Sequence, residues 1–367
     1  RMILAAVVAL VIGGYSVAFV SSADVRYIHR SAVEEGRILA ARRPIAKLLK
    51  DPALPAERRR ELTLVLQARD FASTLGLQAK KTYTTYADVG RDTLLLVLSA
   101  APHDSIVPYT WHYPIVGRIP YKGFFDFTLA RRAAADLDHR GYDTYLRPAA
   151  AFSTLGWFND PLLSTAITPD SMELVALVLH EIAHNTLWVK SNAPFNESYA
   201  QLVGYRGAEA FFRALGDSAD ALRAAARWND EILLAGFYRA LIDRLDSAYA
   251  AARDSSAVTA ARAAVAVWAT AELRDSLGPR FQTYRIGPKF SYEVNNARLV
   301  GATIYRTHLD WFDSWYQQCG DDVARTVAGL DSLVRSAPSD SAFARLGVAV
   351  HAAAEGYSAP GSPGGTR

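Results

Sequence analysis

His180-Glu181-Ile182-Ala183-His184 constrains this chain more than any other short segment. Side chains four positions apart stand one above the other on a single helix face. The two imidazoles therefore act together only if the segment is helical. Leu174, Val175, Leu177, Val178 and Ile182 give such a helix an apolar side to bury. Thr168-Pro169-Asp170 opens it, with Thr168 as the cap and Pro169 at the first helical position. Imidazoles on a buried helix need partners. A metal ion can take both from one face, and Glu181 then projects beside the pair, where it can hold a water activated by the metal.

Two histidines do not complete such a site, and a third protein ligand is expected. The chain has one cysteine, Cys319, so a multi-cysteine site and an internal disulfide are both ruled out. The third ligand must then be a carboxylate or another histidine. Lys190-Ser191-Asn192-Ala193-Pro194 reads as a turn, and a new helix begins near Phe195-Asn196-Glu197 with Asn196 as its cap. Glu197 then falls in the first turn and is carried back over His180 and His184. The competing account of Glu197 is an acid complementing a helix dipole. Glu209 lies three turns further on, too far to serve. Two histidines and one glutamate suit a single zinc ion and leave one position for solvent. Zinc would acidify a water and polarise a carbonyl. Glu181 would take the water's proton and pass it to a leaving amine.

The rest of the chain predicts an α+β fold, predominantly helical, with a small, mostly antiparallel sheet ahead of the histidine helix and a helical region after it. Residues 24–88 read as helices, 90–160 as the sheet, 168–205 as the site helices, 206–284 as an Ala-rich hairpin broken at Asp254-Ser255-Ser256, and 294–357 as further helices. Together, 24–357 form one domain. The tail 358–367 is rich in Gly, Pro and Ser and is expected to be disordered. Met2 to Val20 carry no charge, and 1–23 is read as a signal peptide or a membrane anchor. No cysteine follows that run, so lipid attachment there is excluded. The active part is expected outside the cytoplasm, in the cell envelope. Lys+Arg 40 against Asp+Glu 37 gives a formal charge of +3, which argues against nucleic acid as a partner.

Peptide hydrolysis also needs a strand to hold the substrate and a donor for the developing oxyanion. Ala151 to Gly156 can offer a free strand edge, which makes Ser153, Thr154 and Gly156 substrate-binding candidates. Tyr305, on a helix that also carries His308, is the candidate donor; its competing role is that of a core tyrosine. His103, His112, His139 and His351 lack metal-like spacing.

These residues resemble the bacterial family described as putative aminopeptidases, an HExxH group of envelope proteins. The matching stretches are ARRPIAKLL, LTLVLQARDFASTLGL, YADVGRD, PYKGFFD, GYDTYL, AFSTLGWFNDPLLST, LHEIAHNTLWVKSNAPFNESYAQ and NNARL. The resemblance implies gluzincin-like zinc peptidase chemistry carried by His180, Glu181, His184 and Glu197. Asn295, Asn296 and Tyr305 also match recurring positions, with Asn296 implied in substrate binding. An aminopeptidase needs a group to hold the free α-amine, for which Asp160 and Glu293 are candidates. The chain departs from the family at Val25-Arg26-Tyr27, where relatives often carry a lipobox cysteine, and at His112 and Arg118, in a segment where they often carry cysteines. Two alternatives stand beside the aminopeptidase reading: an endopeptidase of the same chemistry, and a non-catalytic, membrane-tethered protein that binds a partner through its Ala-rich helices.

Overall fold

The computed structural model describes residues 2–113, 117–149, 161–335 and 338–356. The expected substrate strand with Ser153, Thr154 and Gly156, the candidate Asp160, and the tail 358–367 lie outside the described residues.

The chain is predominantly helical. Helix α1 (Met2–Ser21) is followed by α2 (Ala23–Ala40), whose N-terminus is capped by Ser22. Among the described residues no helix is long and apolar enough to cross a membrane. Several α1 side chains, those at 2, 4–6, 8, 9 and 11, lie outside that set. Strand β1 (Arg43–Pro44), helices α3 (Ile45–Leu48) and α4 (Ala56–Ala72), and strand β2 (Thr85–Ala87) come next. They lead to β3 (Leu95–Pro102), β4 (Trp111–Tyr113), β5 (Gly117–Ile119), β6 (Lys122–Phe124), α5 (Phe127–His139), β7 (Tyr142–Ala149) and β8 (Leu162–Leu163).

One sheet was expected over 90–160, and the strands instead form three small sheets. In the largest, β3 lies between β6 and β7, antiparallel to both. The short β1-β2-β8 sheet contains a parallel pair, β2 with β8, and draws on residues ahead of position 90. Strands β4 and β5 form a separate hairpin with His112 opposite Arg118. The β3 strand is buried on both faces, as its run Leu-Leu-Val-Leu-Ser-Ala-Ala requires. Helix α5 covers one face through Ala130, Ala134 and Leu137.

The second half is helical: α6 (Ser171–Thr186), α7 (Ala193–Ala214), α8 (Ser218–Ala251), α9 (Ser255–Ala271), α10 (Asn296–Ile304), α11 (Leu309–Gln318), α12 (Val323–Arg335) and α13 (Ala342–Gly356). The main core joins α4, α6, α7 and α8 to α11–α13 and includes the fully buried Trp228, Tyr199, Phe195 and Phe312. Helices α8 and α9 form the Ala-rich hairpin, with Asp254 capping the return at the Ala257 amide. Residues 206–214 belong to α7, not to that hairpin. The hairpin has its own core, built on Phe237, Leu241, Leu245, Val265 and Ala269.

Candidate metal centre

Helix α6 starts later than the sequence suggested. Its cap is Asp170, whose carboxylate accepts from the amides of Met172 and Glu173 at 3.0 and 3.2 Å. Thr168 serves Asp170 instead, by accepting from its amide at 3.3 Å. An ionised cap at a helix N-terminus outcompetes a hydroxyl two residues earlier. Leu174, Val175, Val178, Leu179 and Ile182 bury the rest of the helix and orient His180 and His184 away from that core.

The reversal after α6 also differs from expectation. Asn192, not Asn196, caps α7, accepting from the Phe195 amide at 3.2 Å, with Pro194 in the first turn. Asn196 is 1% exposed and clamps the preceding loop: its carboxamide accepts from Val189 N and donates to Val189 O, both at 2.8 Å. Glu197 thus sits in the second turn of α7. Two glycines let α7 lie close on α6. A Cβ at Gly204 would stand 2.9 Å from the Ala176 carbonyl oxygen and 3.3 Å from His180 Cβ, and one at Gly207 would stand 2.9 Å from Leu179 Cδ1.

That approach brings three donor groups together. Glu197 Oε2 lies 3.3 Å from His180 Nε2, and Glu197 Oε1 lies 3.7 Å from His184 Nε2. Donor atoms of all three residues lie within 4.8 Å of one another. A tetrahedral ion with bonds near 2.1 Å separates its ligand atoms by about 3.3–3.5 Å, so the spacing suits one small cation. The side chains of His180, His184 and Glu197 remain 14, 18 and 19% exposed, which leaves the cluster open to solvent on one side.

The charge states agree with that donor set. Burial pulls the His184 imidazole down, helped by the neighbouring His180, to about 4, so the ring is neutral at pH 7. Burial also disfavours charge on His180. Its hydrogen bond to Glu197 and the charges of Glu181 and Glu197 more than offset this and hold it above the usual range. Burial pushes the Glu197 carboxyl up, while the bond from His180 and the charges of both histidines and Arg147 pull it further down, so it is ionised. His180 and His184 meet edge to face with centroids 5.0 Å apart, and the 60% exposed Trp188 stands beside His184 at 5.6 Å.

Tyr305 lies close enough to feel the charges of Glu197 and Glu181, but it comes from a different local structure than expected. Helix α10 ends at Ile304, Tyr305 is its C-cap, and His308 has φ +53 ahead of α11. Tyr305 and His308 therefore do not share a helix. Burial first, and the Glu197 carboxylate next, push the Tyr305 hydroxyl up to about 12, with Arg147 opposing and Tyr121 and Glu181 adding. The phenol is protonated and able to donate. Its turn is held from both sides. The Arg306 guanidinium pairs with the buried Glu231 of α8 at 2.7 Å, and the Thr307 amide donates to Ser198 of α7 at 3.1 Å.

Asn296 is not brought to the cluster. It is fully buried at the start of α10, donating to the carbonyls of Pro102, His103 and Ser105 and accepting from the Tyr249 hydroxyl at 2.9 Å. A carboxamide spent in this way is structural. Glu293 is exposed, three residues before α10, at the opposite end of that helix from Tyr305. Three residues were missed in the sequence: Arg147 and Tyr121, which interact with the Glu197 charge, and Glu231, which holds the Tyr305 turn through Arg306. No local spacing signals them, because each arrives from a separate element.

No curated protein and no solved structure matched the chain. A family model described as Putative aminopeptidase matches residues 26–343. That name suggests peptidase activity, and the match spans the strands, the α6–α7 pair and the Tyr305 turn alike. The chain belongs to that family.

Proposed function

We propose that this protein is a zinc-dependent peptidase acting on peptides, and an aminopeptidase as the family description suggests. The observation that carries the reading is Glu197 spanning both imidazoles at 3.3 and 3.7 Å. His180, His184 and Glu197 would hold the ion, a donor set of the gluzincin type. Bound there, zinc would supply Lewis acidity and an acidified water.

The chain's own residues have separable tasks. Glu181 accepts the proton of the attacking water and returns it to the departing amine, as a carboxylate held beside the reacting atoms can. Tyr305, protonated at pH 7, donates to the oxygen on which negative charge develops. Trp188, exposed beside His184, offers an apolar wall to a substrate side chain. For α1, an uncharged 20-residue helix, we propose a role as signal or anchor, with the catalytic part in the cell envelope.

The test is metal content by mass spectrometry together with hydrolysis of aminoacyl-amides and internally quenched peptides, with and without chelator. Glu181→Gln should retain the metal and abolish turnover. Tyr305→Phe should lower kcat about a hundredfold. A protein that binds no metal, or that cleaves peptides equally well with Glu181→Gln, overturns the reading.

A further inference from the structure

We propose that Arg147 forms a carboxylate-binding subsite beside the candidate metal triad, so that the preferred peptides carry a negative charge close to the bond that is cut. This rests on the peptidase reading above.

The placement follows from strand register. Along β7, Asp143, Tyr145 and Arg147 share one face, while Tyr142, Thr144 and Leu146 share the other. Tyr142 and Leu146 pack toward α5 with Ala130, Ala134 and Leu137. The other face therefore meets α10. Asp143 accepts from the Asn296 amide at 2.6 Å, at the start of that helix. Tyr145 packs on Ala297 and Val300, further along it. From Asp143 to Arg147 the strand advances about 13 Å, and from Asn296 to Tyr305 the helix advances about 13 Å. The two elements keep pace, and Arg147 arrives where Tyr305 does. Its charge acts on Glu197, on Tyr305 and on Tyr121, as that position requires.

Among the described residues this guanidinium is not spent on the fold. Arg206 pairs with Glu209 and Asp313, Arg262 with Asp143, and Arg306 with Glu231, each at 2.7–2.9 Å. Among the described residues, Arg147 makes no hydrogen bond and no ion pair of that kind. It also stands on an edge strand, since β7 pairs only with β3 in its sheet among the described residues.

The local charge favours an anion. A divalent ion would be balanced by Glu197 and Glu181, and Arg147 then leaves the cluster one charge positive. That surplus favours a carboxylate close to the scissile bond, whether or not the substrate also carries an α-ammonium. A planar guanidinium matches a carboxylate with two parallel hydrogen bonds. That carboxylate can be the free C-terminus of a short peptide or an Asp or Glu side chain in a longer one.

The experiment uses the full chain loaded with zinc and matched peptides: one short peptide with a free or an amidated C-terminus, and one longer blocked peptide with Asp or Asn next to the scissile bond. In the wild-type protein, kcat/KM should favour the charged member of at least one pair by about tenfold or more. The pair that responds identifies the source of the carboxylate. Arg147→Gln should collapse that ratio toward one, and Arg147→Lys should restore part of it. A binding arm uses Glu181→Gln protein and calorimetry with N-acetyl-dialanine against its amide and with N-acetyl-aspartyl amide against N-acetyl-asparaginyl amide. A carboxylate preference should appear there too, and should vanish when Arg147→Gln is added. Equal handling of charged and neutral members by the wild-type protein in both arms overturns the inference. So does a preference that survives Arg147→Gln. Failure of the peptidase reading looks different: no peptide is cleaved, while the binding arm still shows or lacks the preference on its own.

Discussion

The backbone amide of Thr307 donates to the hydroxyl of Ser198 at 3.1 Å, one residue beyond Glu197. A turn more than 100 residues later in the chain is thereby fastened to the helix that supplies the carboxylate of the candidate metal centre. Arg306 fastens the same turn to α8 through Glu231. The phenol of Tyr305 and the carboxylate of Glu197 are consequently positioned by shared supports, and the supports make separate predictions.

Glu231 is 1% exposed and serves Arg306 at 2.7 Å and the Tyr284 hydroxyl at 2.5 Å. Replacing it with Gln leaves the half-buried Arg306 and Arg227 beside a neutral group. Breaking a buried pair in this way costs about 3–5 kcal/mol. Glu231→Gln should show that loss in denaturant unfolding and should lower kcat, while the metal content of the folded fraction is retained. In a Tyr305→Phe background the further loss of kcat should shrink, since the group being positioned is gone.

The closeness of α6 and α7 rests on Gly204. Its Cβ would press on the backbone oxygen of Ala176 at 2.9 Å, so the helices must part by a few tenths of an ångström. Gly204→Ala should cost about 1–3 kcal/mol and weaken zinc binding, because Glu197 moves away from both histidines. Gly236 on α8 has no atom within 4 Å of a new Cβ. Gly236→Ala should stabilise the protein by up to about 1 kcal/mol through helix propensity alone. Thermal unfolding and competitive zinc titration separate the two outcomes.

Asn196 bonds both polar groups of Val189 at 2.8 Å. Asn196→Ala leaves a buried amide and carbonyl unpaired, which should cost about 1–3 kcal/mol. Asn196→Asp should be worse, although it is nearly the same shape. An ionised carboxylate can still accept from the Val189 amide but opposes the Val189 carbonyl. Chemical denaturation of the two variants gives the order.

Metal affinity should depend on pH with a defined sign. His180 is held above its usual range by Glu197, so at pH 6 it carries a proton that a cation must displace. His184, at about 4, is already neutral there, and Glu197 is ionised. Affinity should therefore fall by about tenfold per pH unit below the His180 value and level off above it. Calorimetry at pH 6 in buffers of different ionisation heat should count close to one proton released per zinc. A count near two would show that His184 is charged as well.

The convergence of His180, His184 and Glu197 was legible because its signal is local. A spacing of four places His180 and His184 on one face, and the turn at 190–194 returns Glu197 over them. What failed was capping detail: Asn192 and Asn196 are both competent caps, and the sequence does not say which side chain the buried Val189 backbone will claim. Tyr305 was legible as a residue but not as a helix end, because Tyr305 to His308 contains neither Gly nor Pro to stop α10. Arg147 and Glu231 were invisible, since strand register places the first and long-range packing sets the second against Arg306 in the Tyr305 turn. The single expected sheet became three because the Pro and Gly residues of 102–123 divide the strands, and Arg43–Pro44 and Thr85–Ala87 pair outside that region.

Helix α10 is pinned at both ends. Asp143 and Thr144 hold Asn296 and Asn295 at its start, and Glu231 and Ser198 hold the residues just past its finish. A nine-residue helix would normally fray. This one behaves as a strut between the sheet and the α7–α8 pair, so its amides can open only when the surrounding body opens. Hydrogen exchange at Val300 and Gly301 should accordingly be as slow as in the deepest core, and the segment that presents Tyr305 should be among the last parts of the molecule to loosen on heating.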